Sequence, residues 1–349
     1  MATIVDTASS AKMPAHPRRQ DMIALWAGIA FSALFTGLIW ITGNSLKVFP
    51  HLPQQGPSWY FWKLPSPSLP AEITAWGLYA LHQVAVWAII WYAQTHVKKY
   101  TTGLHPINYV ALGVNALFIF LHFVQTHIWY DALAQNVSVY SSQGSVIVLL
   151  VWVLLMENNR RGMFFGKRLP ISQRIIQFAR KYHGYFFAWA IVYTFWYHPM
   201  ENTVAHLVGF FYMFLLMLQC SLFFTRIHIN KYWTFTQEIL VLFHGTAVAL
   251  MQGGGLWSMF FFGFGGIFII TQMHGLNLKN WIKWAFLALY VIGAVVIYSG
   301  RGPSHLWEPF AIPLIDYISV VVLALLFGLI VRVTGWRRNP APVATSAGD

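Results

Sequence analysis

The stretch WYHPMENTVAHLVGFF, residues 196–211, holds three side chains that do chemistry: His198, Glu201 and His206. Two imidazoles and a carboxylate at this spacing can ligate a metal or relay protons. They also suit a tight turn that leads into a helix. Pro199 fits the first helical position, where its missing N–H is not needed. Glu201 then falls in the first turn, where its charge complements the helix N-terminus.

The chain has 14 histidines in 349 residues. His82, His122, His206 and His244 lie inside four separate apolar runs. Asp131 follows His127 by four residues, and His206 follows Asn202 by four, so each pair can share a helix face. Imidazoles oriented through their second nitrogen are frequent metal ligands. Three or four nitrogens with a carboxylate suit Zn, Fe or Cu. The candidate metal ligands are therefore His82, His122, His127, His198, His206 and His244, with Asp131 and Glu201 as candidate proton-transfer residues. No HExxH, repeated HxxxH or Asp-rich prenyltransferase motif accompanies them. His96, His105, His183, His228 and His274 border basic segments and read as interfacial residues. Glu238 either snorkels to the inner interface or extends a proton path beneath His244.

The elements that must position these residues are membrane helices. Hydrophobic residues make up 57% of the chain and charged residues 9%, far fewer charges than a soluble domain carries. The apolar material comes in blocks of about 20 residues, the length that crosses a bilayer core. Ten spans are expected, near 23–43, 73–95, 106–128, 137–156, 184–198, 203–224, 234–251, 256–274, 282–299 and 313–333. Backbone groups cannot stay unpaired in lipid, so each should be a helix. The expected fold is an all-α polytopic membrane protein without a soluble domain.

With the N-terminus placed inside, only Lys47, Lys63 and Arg301 of the 22 basic residues fall on outer segments. That asymmetry orients the chain with both termini inside. It also accounts for the net charge of +12, so nucleic-acid binding is not required. On this topology His82, His122, His206 and His244 lie near the middle or in the outer half of the membrane. His127, Asp131, His198 and Glu201 sit above them. Ionisable groups at such depth are costly unless they serve a site.

Residues 1–22 read as a cytoplasmic tail, 23–333 as the helical domain, and 334–349 as a cytoplasmic tail expected to be disordered. An inner segment, 157–183, divides the helices into four and six. Within it, 171–182 has the pattern of a short amphipathic helix lying on the inner leaflet. The aromatic run Trp59, Tyr60, Phe61, Trp62 in the outer segment 44–72 suits the headgroup level. Gly263 and Gly266 are expected at a close helix contact. Cys220 is the only cysteine, which excludes an internal disulfide and a cysteine-based metal centre.

Three function classes follow, all in an integral, multi-pass membrane protein of the bacterial inner-membrane type. The favoured one is a metal-dependent oxidoreductase acting on a lipophilic small molecule, with Fe, Cu or Zn at the histidines. The alternative is an electron-transfer subunit whose histidines bind haem or a chlorophyll-type pigment. A transporter or a structural subunit with a membrane-complex partner is the third. The 17 Trp, 28 Phe and 16 Tyr suit a pocket for a bulky lipophile.

Overall fold

The computed structural model describes residues 19–53 and 62–336. Most of both expected tails, and all of the aromatic run except Trp62, lie outside the described residues. Among these residues there are ten α-helices and no β-strand. They are α1 (Gln20–Thr42), α2 (Leu69–His96), α3 (Pro106–Trp129), α4 (Val139–Arg161), α5 (Gln173–Tyr197), α6 (Val204–Ser221), α7 (Lys231–Gln252), α8 (Trp257–Ile270), α9 (Asn280–Ser299) and α10 (Glu308–Val333).

Local chemistry sets several of the boundaries. Ser68, Ser138, Ser172, Thr203 and Asn230 each accept a hydrogen bond from a backbone N–H of the helix they precede, which satisfies donors the helix itself cannot. Gly162 and Gly253, with φ of 77° and 72°, end α4 and α7, conformations open to glycine.

Eight helices, all but α5 and α8, are long and apolar enough to cross a membrane. α8 has 14 residues, a rise of about 21 Å. α5 has 25 residues but carries Arg174, Arg180 and Lys181 in its first turns. Large apolar side chains cover the outside of the bundle, among them Trp26 and Leu34 on α1, Leu289 and Val296 on α9, and Leu325 and Leu329 on α10. An apolar surface of this extent suits a lipid surrounding.

The inside holds two main cores. One joins α1, α2, α3, α5 and α6 through Ile39, Ile90, Phe118, Phe195, Trp196 and Phe214. The other joins α4, α5, α8 and α10 through Leu154, Leu155, Ala179, Ile267, Val320 and Phe327. Gly263 faces Ile312 and Gly266 faces Pro313, so the small residues do sit at a close contact, between α8 and α10. A buried ion pair, Arg161 Nη1 to Glu238 Oε2 at 2.6 Å, ties α4 to α7.

The connections gather at two ends. At one, Leu64 bonds Gln135, Tyr130 bonds Glu201, and Arg301 bonds Gly255. At the other, Thr101 pairs with Thr225, Phe165 bonds Ile270 and Asn158 bonds Leu169. The first carries Lys47, Lys63 and Arg301 and is the outer end of the charge reading; the second is the inner end.

Residues 171–182 do not form a separate surface helix. Gln173–Tyr197 is one continuous helix. The apolar residues expected to face lipid headgroups pack inward instead. Ile176 and Ala179 are buried, Phe178 meets Phe327 with ring centroids 5.2 Å apart, and Trp152 Nε1 donates to Ala179 O. The expected inner segment 157–183 is thus shared among the end of α4, the link 162–172 and the first three turns of α5.

Candidate functional site

The outer end brings most of the sequence-selected residues together. α3 ends on Tyr130, whose φ of 54° is left-handed and rare for an aromatic residue. Its ring stacks on Phe49 and His51 at 5.1 and 4.9 Å. Its hydroxyl donates to Glu201 Oε1 at 2.5 Å, and His51 Nε2 lies 4.0 Å from the same oxygen. Tyr130 and His51 were not selected from sequence. The HxPxxG context of His51 resembles any turn, and the left-handed cap at Tyr130 leaves no compositional mark.

That cap also separates the expected His127–Asp131 pair, because Asp131 lies past the helix end and off its face. His127 Nδ1–H donates to Phe123 O at 2.8 Å, and its Nε2 is buried without a partner. Asp131 Oδ1 accepts from Ala132 N at 2.7 Å, and Oδ2 is buried without a partner. Burial raises the Asp131 carboxyl to about 6, against the opposing pull of the Ala132 N–H. The Asn202–His206 pair is absent for a similar reason. α6 starts at Val204, and His206 bonds Thr203 Oγ1 through both its backbone N–H and Nδ1. Pro199 and Glu201 consequently lie in the 198–203 connection and not in a first helical turn.

Three further imidazoles lie near His198 at this end: His122, His206 and His244. His122 Nε2–H donates to His198 O at 2.8 Å. The rings of His198 and His206 are 5.7 Å apart, and Trp62 meets His206 edge-on at 4.5 Å. His244 fills the notch left by Gly209, where a Cβ would come within 2.8 Å of its Cε1. Burial, then His206, His244 and His122 in that order, hold the His198 imidazole well below its usual range.

His82 belongs to a different arrangement. Trp196 Nε1–H donates to Nδ1 at 3.2 Å, so Nε2 carries the proton and donates to Asn115 Oδ1 at 2.9 Å. The Asn115 amide in turn donates to Ser221 Oγ at 2.8 Å. Both nitrogens are engaged in a cross-link of α2, α3, α5 and α6, which leaves none for a metal. Among the described residues no three His, Cys, Asp or Glu side chains gather as a metal-ligand set. His122 is flanked by Trp196 at 4.3 Å and Phe195 at 4.8 Å, and His82 is stacked on Phe118 at 4.3 Å. With both nitrogens of His82 engaged, the residues present do not fit a metal or haem iron shared by His82, His122, His206 and His244.

The inner end holds the larger opening. A cavity of about 1580 Å³ lies among α2, α4, α5, α6 and α7. Ile90, Leu150, Val153, Ile191, Met213 and Val241 give it apolar walls. Lys98, Lys99, Arg180, Lys181 and Arg226 also line it, at the inner end. Among the described residues none of these five has a carboxylate partner. The two carboxylates of the lining, Glu157 and Glu238, are already paired with Arg160 and Arg161. A smaller groove of about 410 Å³ runs between α1, α3 and α6. None of the six predicted metal-ligand histidines lines either space.

His183 and His228, expected as interfacial residues, line the cavity. Each is held through Nδ1. His183 Nδ1–H donates to Arg180 O at 2.8 Å and His228 Nδ1–H to Gln219 O at 2.9 Å. The Gln219 amide returns a bond to His228 O at 2.9 Å and accepts from Trp233 Nε1 at 2.5 Å. The short turn Ile227–Ile229 is therefore fixed against α6 and α7. Arg180 and His183 are spaced i, i+3 and share one face of α5. Comparison with family models, curated proteins and solved structures finds no match to the chain.

Proposed function

We propose that this is an integral, ten-span membrane protein that takes an anionic amphiphile from the inner leaflet into the inner cavity. The observation that carries the reading is the pairing of an apolar cavity of about 1580 Å³ with five unpaired cations in its lining. An apolar tail gains about 25 cal/mol per Å² of surface removed from water, and the cations attract a phosphate or carboxylate head. Such a ligand fits the lipophilic small molecule expected from sequence. An enzyme or a carrier of lipids begins with this step; a haem-based electron-transfer subunit does not. Ten spans follow if α5 and α8 cross as well, since the basic residues then keep to one side.

The test is competition in neutral detergent against a fluorescent fatty acid. Dodecyl phosphate and dodecanoate should displace it at one molecule per chain, and dodecyltrimethylammonium should not. Equal displacement by the cation would overturn the reading. Ala190, buried on the cavity wall, supplies the blocking variant: Ala190→Trp should lose binding while the protein still elutes as a monodisperse species.

A further inference from the structure

The cavity carries more positive charge than a single carboxylate balances. On the 97–105 connection are Lys98 and Lys99 with Tyr100; on α5, Arg180, Lys181 and Tyr182; on the 222–230 connection, Arg226. On α4, Glu157 is spent on Arg160, and on α7, Glu238 is spent on Arg161. α6 contributes only Tyr212 and Cys220 to the titratable lining. Two histidines stand among these groups, each with Nδ1 committed to a backbone carbonyl. A histidine whose Nδ1 carries the proton presents Nε2 as an acceptor. Neither Nε2 has a protein partner among the described residues.

We infer that His183 and His228 make the cavity a proton-coupled seat for a phosphomonoester headgroup, Nε2 of one of them taking a proton from solvent as the dianion enters. This rests on the amphiphile reading above. With the cavity empty, a proton on either ring would add to the excess of cations in the lining, whose two carboxylates are already paired. With a phosphate dianion present, the protonated Nε2 donates to a phosphoryl oxygen, a charge-assisted bond of the stronger kind. The clamp on His228 keeps its ring fixed in both conditions, so only the proton moves. In support, burial first and His183 second push the His228 imidazole down to about 4, its bond to Gln219 O opposing them, so the ring is neutral at pH 7 until an anion arrives. A carboxylate carries half the charge of the dianion and has no third oxygen to accept from Nε2–H, so it draws no such proton.

The experiment is calorimetric titration of the purified full chain with dodecyl phosphate at pH 7.5 in two buffers of different ionisation enthalpy. The expected result is uptake of between about half and one proton per ligand bound, and no uptake with dodecanoate. Inorganic phosphate separates head from tail: it should bind at least a hundredfold more weakly. His228→Asn and His183→Asn place an amide N–H where Nδ1–H stood and remove Nε2, so each keeps its bond to the carbonyl. The double variant should lose the proton uptake while its affinity falls less than tenfold. Arg180→Gln should weaken both amphiphiles tenfold or more and keep the uptake. Binding of dodecyl phosphate without proton uptake, or uptake unchanged in the double variant, overturns the inference and leaves the amphiphile reading intact. Absence of binding by both amphiphiles overturns both.

Discussion

The Arg161–Glu238 pair crosses from α4 to α7 with side chains only 1% and 7% exposed. Arg161 Nη1 bonds Glu238 Oε2, but its Nε and Nη2 are buried without partners. Glu238→Gln would remove the one charge that compensates this guanidinium. Breaking a buried pair by removing one partner costs about 3–5 kcal/mol, or about two to four orders of magnitude in the folded-to-unfolded ratio. Arg161→Met strands the carboxylate and should cost a similar amount. Replacing both, with Met at 161 and Leu at 238, removes the desolvation of two charges together with their attraction. Such exchanges are neutral or stabilising by about 1–4 kcal/mol. The assay is equilibrium unfolding of the four proteins in mixed SDS micelles, followed by tryptophan fluorescence. The double-mutant cycle should return a coupling of at least about 3 kcal/mol. Single variants that unfold within about 1 kcal/mol of the parent would show the pair to behave like a solvated surface bridge, and the dry contact between α4 and α7 would be refuted.

Gly263→Ala should destabilise by about 1–3 kcal/mol, because its Cβ would fall 2.8 Å from Ile312 Cβ; Gly77→Ala, with nothing within 4 Å, should be neutral or stabilising by up to about 1 kcal/mol in the same assay. The raised Asp131 carboxyl, about 6 against an ordinary value nearer 4, keeps a proton in the folded state that the unfolded chain releases. Stability should therefore fall as pH rises from about 4 to about 6 and level off above, and Asp131→Asn should flatten that slope; a parent profile already flat there would contradict the assignment. In a Cys220→Ala background, an impermeant maleimide added from outside should label Ser304→Cys and spare Lys279→Cys, and the reverse pattern would invert the topology. Tyr130→Phe removes the hydroxyl that holds Glu201 and should cost about 1.5–3 kcal/mol, the range for a hydrogen bond to a charged group, read from the same unfolding curves.

The helices were legible because lipid demands unbroken apolar runs, and caps such as Ser68, Ser138 and Asn230 mark where they begin. The close α8–α10 contact was legible from Gly263 and Gly266 for the same reason: small residues have one common use in such a run. What stayed hidden was set by tertiary geometry. The pattern of 171–182 is amphipathic in either setting, and only the presence of Phe327 and Trp152 decides that its apolar side turns inward. Equal depth grouped His82 with His122, His206 and His244, but depth says nothing about rotation around a helix. His82 turns to Asn115 and Trp196, while the other three turn toward His198. The inner cavity draws on residues from 90 to 336, spread over five helices and their connections, and no local spacing joins Gln219 to His228 before the chain folds back.

α5 reaches from one of these regions to the other. It carries His198 just past its C-terminus and Arg180 and His183 near its beginning, 15 residues and so about 22 Å apart from His183 to His198. Near its outer end Trp196 is pinned to His82, and near its inner end Arg180 is pinned to Met156 O. The helix is thus a lever with a load at each end. A tilt of about 10° about its middle displaces Arg180 and His198 by about 2 Å in opposite directions, taking about 1.5 Å of rise per residue. A shift of Arg180 at one end of this helix is therefore matched by an opposite shift at His198, so the inner cavity and the outer imidazoles share one rigid element.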